Sequence, residues 1–147
     1  MNIPVDASAP VKSADSIQIR ASIDIVWDIL TQIDHWPEWQ DNVTEAKLLG
    51  MMGEGTRFAW KASGLSFKSQ IHTCRPKVMF GWTGRTIGTS AVHNWRFEGD
   101  QVQTTVWVEE SLQGILPRLF RKYFQNILDS GIKKSLEELQ TAAEKNS

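Results

Sequence analysis

Two hydrophobic periods divide the chain. In "SIQIRAS" (16–22) Ile17 and Ile19 alternate with Gln18 and Arg20, which predicts a half-buried strand. After Ser22 the step lengthens. Val26, Leu30 and Ile33 recur on one helical face, with Trp27 beside it. Ser22 offers a side-chain oxygen to free N–H groups, and Asp24 suits the positive helix end, so 23–33 is predicted helical. In "HWPEWQ" (35–40) Pro37 lacks an N–H and suits only a first helical turn. "WPEWQD" therefore begins a second, very short helix.

From Val43 to Ser111 the period is two. Candidate strands are 43–49, 56–61, 65–74, 77–83, 87–97 and 101–111, joined by "GMMGEG", "ASG", "RPK", "GRTIG" and "EGDQ". Short, turn-rich links between alternating runs predict an antiparallel meander of hairpins. The bulky residues share one face: Phe58 and Trp60, then Leu65, Phe67 and Ile71, then Val78, Phe80 and Trp82. Ala91, His93, Trp95 and Phe97 follow, then Val102, Val106 and Val108. A sheet with one apolar and one polar face needs a cover. The last segment supplies it. Leu116, Phe120, Tyr123, Phe124, Ile127, Gly131, Leu136 and Leu139 recur at three- and four-residue steps after Pro117. An amphipathic helix of about 27 residues is expected, some 40 Å long. Gly131 within it suggests a bend or a close approach to the sheet.

A chain of 147 residues forms one domain, large enough to bury about 70% of its unfolded surface. Sixteen basic residues face 17 acidic ones, so no global charge points to nucleic acid or to an anionic membrane. Cys74 is the only cysteine, which fits a reducing compartment and a small filler role in a strand. "MNIPVDASAPVKSAD" lacks the basic and apolar regions of a signal peptide, and no apolar run is long enough to span a bilayer. A cytoplasmic protein is expected, without stable membrane insertion. Its prolines, serines and alanines predict a mobile tail over residues 1–13.

The stretch "IQIRASIDIVWDILTQIDHWPEWQDNV" (17–43) resembles the START-like, or SRPBCC, superfamily, most closely its polyketide cyclase/dehydrase branch. The likeness continues through Gly55 before "FAW", "HNWRF" (93–97), "TVWVEESLQG" (104–114) and the closing helix, over about residues 15–144. It implies an α+β helix-grip fold. A curved seven-stranded antiparallel sheet would wrap around the long C-terminal helix, with two small helices closing one end. It also implies one START-like domain over 14–147, with a cavity for hydrophobic small molecules between sheet and helix. "HWPEWQ" then sits at the cavity end, with Trp36 and Trp39 against the first helix and the rim.

His35, His72 and His93 lie far apart, with no HxH, HExxH or CxxC spacing. Neither a metal nor a nucleotide cofactor is expected. His72 falls on the polar face as a solvated residue, and His35 in a turn. His93 shares its face with Ala91, Trp95 and Phe97. It is either a satisfied core histidine or a polar anchor in an apolar cavity. By alternation with Val106 and Val108, Glu110 points inward and Glu109 outward. Glu110 is either a general base or a rim residue paired with Arg118 or Arg121. Trp107 falls on the wet face. "GMMGEG" (50–55) opens no helix, so it is a tight turn and not a phosphate loop. No serine sits in a GxSxG elbow. "FRKYF" and "IKKSL" read as solvated helix faces.

The expected cavity lining gathers Trp27, Trp39, Phe58, Trp60, Phe67 and Ile71 with Phe80, Trp82, His93, Trp95, Val106 and Val108. Phe120, Tyr123, Phe124 and Ile127 come from the long helix. The aromatics either line an open pocket or fill it, since each ring can bury about 150–250 Å². Three readings follow: a carrier of a hydrophobic or aromatic molecule, a cyclase- or dehydratase-like enzyme, and a non-catalytic interaction module. The enzyme would use His93 or Glu110, with Tyr123, for proton transfer. The few inward polar residues favour the carrier. No nucleic-acid partner is expected.

Overall fold

The computed structural model describes residues 2–147. Its strands are β1 (Val11–Ile19), β2 (Val43–Leu48), β3 (Arg57–Ala62), β4 (Leu65–Arg75), β5 (Met79–Thr86), β6 (Thr89–Gly99) and β7 (Thr104–Gln113). Its helices are α1 (Ile23–Thr31), a 3-10 helix (Ile33–Glu38), α2 (Ile115–Leu119) and α3 (Arg121–Lys145). The strands form one antiparallel sheet in the order β1-β7-β6-β5-β4-β3-β2. This curved open sheet with its long C-terminal helix is the helix-grip fold.

Local chemistry sets the first turn of the chain. The Ser22 side chain accepts from Ile25 N–H and caps α1, and Val26, Trp27 and Leu30 go inward. Pro37 is tolerated in the short 3-10 helix, where Trp36 is buried and donates its indole N–H to Leu30 O at 2.9 Å. Across the sheet, register places Leu112, Glu110, Val108 and Val106 of β7 opposite Ala91, His93, Trp95 and Phe97 of β6. His93 and Trp95 in turn oppose Trp82 and Phe80 of β5. Inward residues therefore run in rows across the strands, as the pleat requires.

Several boundaries differ from the sequence reading. β5 continues through Gly84 to Thr86, so "GRTIG" is mostly strand and the turn is confined to Ile87 and Gly88. β7 extends to Gln113, which adds Leu112 to the inward row. The closing element is two helices, broken at Phe120. The break follows from how α2 is held. Gly114 adopts φ +120°, and a Cβ there would lie 2.4 Å from Gly88 O. The β7–α2 junction thus sits directly on the β5–β6 turn, while α3 turns away along β1.

The buried face of α3 also differs. Leu128, Ile132, Leu136, Leu139 and Ala143 meet the core. Phe120, Tyr123 and Ile127 do not, being 56%, 63% and 49% exposed. At 3.6 residues per turn, Ile127 stands about 100° around the helix from Leu128. The helix carries two apolar stripes, and only the C-terminal one is covered. Gly131 marks no close approach, since a Cβ there would meet nothing within 4 Å.

The N-terminal segment lies across the outer face of the sheet. Residues 11–13, read from sequence as the end of a tail, belong to β1, and Val11 is fully buried opposite Leu112. Residue 1 of that expected tail lies outside the described residues. Ile3 donates its N–H to His72 Nδ1 at 3.1 Å, and Asn94 Nδ2 donates to Ile3 O at 2.8 Å. Further along, Asp6 N–H donates to Ser111 Oγ at 3.2 Å, and the Gln113 amide donates to the Asp6 carboxylate. His72 is therefore buried and not solvated, although it does point to the outer face. Gly81 makes this possible. A Cβ there would stand 2.5 Å from both His72 Cε1 and Asn94 Oδ1.

Both sheet borders are occupied. On β1 the Lys12 and Gln18 carbonyls accept from the side-chain amides of Gln125 and Gln140, and Arg20 N–H donates to Glu144. On β2 the Leu48 N–H donates to Asp34 Oδ1 at 2.7 Å.

Candidate functional site

The inner face of the sheet divides into two ends. At the α1 end the interior is filled by rings. Trp36 lies within 5.6 Å, centroid to centroid, of Phe58, Trp60 and Trp82, and Trp27 meets Phe80 and Phe97 edge-on. Edge-to-face contacts at these separations add to the stabilisation from burial alone. Ile71, Val106 and Val108 complete this core. These side chains pack on one another.

The other end lies under the β5–β6 hairpin and the N-terminal half of α3. Here the inward residues are half-buried: Ala91, His93, Glu110, Trp60 and Phe67. His93 is held on three sides. Its ring stacks on Trp82 at 4.4 Å and 7° between planes, and on Trp95 at 5.4 Å. Its Nδ1 lies 2.5 Å from Glu110 Oε1, with both side chains only 14% and 16% exposed. Alternation had placed Glu110 inward and opposite this face, and the register brings the two together. Glu110 is paired with His93, where the sequence had offered Arg118 or Arg121.

A carboxylate at Nδ1 fixes the ring's tautomer. In the neutral ring, donation of Nδ1–H to Glu110 leaves the lone pair on Nε2. That Nε2 is buried and makes no hydrogen bond within the described chain, and the same holds for Trp95 Nε1. Buried polar atoms are normally partnered. Two buried nitrogens without a hydrogen-bond partner therefore lie in an otherwise aromatic interior, beside the half-buried end. An acceptor such as Nε2 can take a proton-bearing oxygen, and the Trp95 N–H can serve a carbonyl or ether oxygen.

The remaining expected residues lie elsewhere. Trp39 borders a surface hollow of about 860 Å³ between the 3-10 helix and α3, lined also by His35, Lys134 and Glu138. His35 is exposed there and pairs with Glu38, whose carboxylate raises the His35 pKa. Another hollow, of about 380 Å³, lies on the outer face by Trp107 and Glu109, where the Arg96 guanidinium stands 4.0 Å from the Trp107 ring. Phe120, at the helix break, and Tyr123 on α3 are exposed, and Phe124 is half-buried against the core. Cys74 packs against the core, and burial raises its thiol pKa. Leu112 was missed in the sequence. Its signal was present, because it continues the alternation of Val106, Val108 and Glu110.

A curved antiparallel sheet gripping a C-terminal helix, with polar groups on its inner face, defines the START-like class. The chain belongs to the family described as polyketide cyclase/dehydrase and lipid transport, whose model matches residues 10–144. No curated protein sequence matches it. Among solved structures it is similar to a hypothetical protein from Helicobacter pylori, at 14% identity and TM-score 0.82, over 97% of this chain and 98% of that one. A START superfamily protein from Mycobacterium smegmatis matches at 9% identity and TM-score 0.80, over 92% and 99%. The Zhui aromatase/cyclase from Streptomyces sp. R1128 matches at 14% identity and TM-score 0.77, over 90% and 93%. At such identities the likeness is one of fold. Among the described residues, no helix is long and apolar enough to cross a membrane.

Proposed function

We propose that the protein binds a planar, mostly apolar small molecule bearing a hydroxyl group, at the half-open end of the grip. The observation that carries this reading is the free Nε2 of His93, buried between two tryptophans and oriented by Glu110. Its lone pair suits a ligand O–H, and the flanking indoles suit a ring. The family description, which includes lipid transport, supports an apolar ligand. A paired test uses 2-naphthol and naphthalene, followed by quenching of tryptophan emission. Naphthol should bind saturably and more tightly than naphthalene in the wild-type protein. In His93→Phe the difference should vanish, a loss of about tenfold, or ~1.4 kcal/mol. Saturable binding of neither compound would sink the proposal.

One observation favours a second reading. The Glu110–His93 contact is the arrangement of a base oriented by a carboxylate, so the pair could remove a proton from a bound substrate. The family description includes cyclase and dehydrase chemistry. Molecules that co-purify with the protein would serve as substrates. His93→Phe should then lower turnover by about a hundredfold or more, with affinity little changed. Equal conversion by both proteins would remove the pair from any reaction.

A further inference from the structure

The uncovered stripe of α3 is part of a larger apolar strip. Ile115 and Leu119 on α2 are 64% and 66% exposed, and Ile87 in the β5–β6 turn is 74% exposed. Phe120, Tyr123 and Ile127, also exposed, follow them along the chain through the helix break into α3. The pieces are held together. A Cβ on Gly88 would stand 2.7 Å from Leu116 Cγ and 3.4 Å from Ile115 Cγ2, so α2 is seated on the turn. Single exposed apolar residues need no explanation, but a contiguous set marks a contact surface.

The charge on this strip identifies what covers it. Residues 115–128 carry Arg118, Arg121 and Lys122, all exposed, and no acidic residue. The whole chain carries a net charge of −1, so the positive charge is local. A second copy is a poor occupant, because pairing the strip with itself brings like charges together. Protruding aliphatic and aromatic side chains between long basic ones fit a lipid surface better. Apolar tips enter the acyl boundary while the basic heads stay among the headgroups. From this we infer that the α2–α3 corner docks reversibly on an anionic membrane.

Docking there would have a purpose under the ligand-binding reading, on which this part of the inference rests. His93 lies five residues along β6 from Gly88, about 16 Å at strand spacing. The strip therefore borders the end of the grip that holds the free His93 nitrogen. An apolar ligand could pass between bilayer and protein without crossing water.

The test is sedimentation of the full chain with vesicles of phosphatidylcholine alone, and of phosphatidylcholine mixed with phosphatidylglycerol. Three basic side chains at about fivefold each predict partitioning into the mixed vesicles about a hundredfold above the neutral ones. Added salt should erode the difference, because surface charges are screened. Leu119→Glu and Arg121→Glu should each reduce partitioning about tenfold or more, with naphthol binding in solution unchanged. Equal partitioning into both vesicle types, or no change in either variant, overturns the inference. So does a concentration-dependent dimer that Leu119→Glu abolishes, since the strip would then cover itself. If vesicle binding holds while naphthol binding fails, the docking surface stands and the ligand reading falls. The reverse result removes docking alone.

Discussion

His72 is the residue on which the N-terminal segment depends, and it does so only in one protonation state. Nδ1 accepts from Ile3 N–H, so the ring proton sits on Nε2 and is donated to Asn94 Oδ1 at 2.8 Å. Burial lowers the His72 pKa below its usual value, outweighing the Asn94 hydrogen bond that raises it. A base with a depressed folded pKa binds its proton more readily in the unfolded chain. Stability from this site is complete above about pH 6.5 and is lost as pH falls toward the folded value. His35 acts oppositely. Its raised pKa favours the folded state in acid, but it is fully exposed and its effect is screened. Denaturant melts between pH 7.5 and pH 5, an interval of about one unit above to 1.5 below the ordinary His pKa, should show stability falling with acid. The fall should be shallower in His72→Gln. The same slope in both proteins would mean that the latch does not titrate. The inward placement of Glu110 and His93 was legible because alternation fixes which face a residue takes. The burial of His72 was not, because the segment covering it comes from 69 positions away in sequence.

At the scale of the element, α3 shows how amphipathicity can mislead. Its exposed stripe begins with a conspicuous tyrosine, while the stripe that meets the core is mostly aliphatic, with Phe124 half-buried at its head. Both have helical spacing, so periodicity established the helix but not which side faces inward. The consequence is measurable. Leu136, only 2% exposed, should cost about 2–5 kcal/mol when changed to alanine. Phe120→Ala, although it removes a larger side chain, should stay within about 0.5 kcal/mol. Urea melts of the two variants would decide this, and comparable losses would return Phe120 to the interior. The break at Phe120 was hidden for a different reason. It arises from the seat of α2 on Gly88, a contact between parts of the chain that no local pattern connects.

The whole molecule was legible in outline, because seven alternating runs and a long amphipathic end admit few arrangements. How far the grip is filled was not, since it depends on where Trp36 and Trp82 meet, and that is a matter of ring geometry. One feature of the assembled sheet reaches beyond binding. A sheet with two free borders is a template on which further chains can add strands. Here one border is short and meets Asp34, and the other has two of its outward carbonyls, those of Lys12 and Gln18, taken by glutamines of α3. Those two amides act as caps against propagation. Gln125→Ala combined with Gln140→Ala should leave the fold intact yet shorten the lag of fibril growth under mild denaturation, read by thioflavin fluorescence. An unchanged lag would assign the protection to the bulk of the helix alone. The helix that closes the grip would then have a second role, keeping a β-rich chain from polymerising.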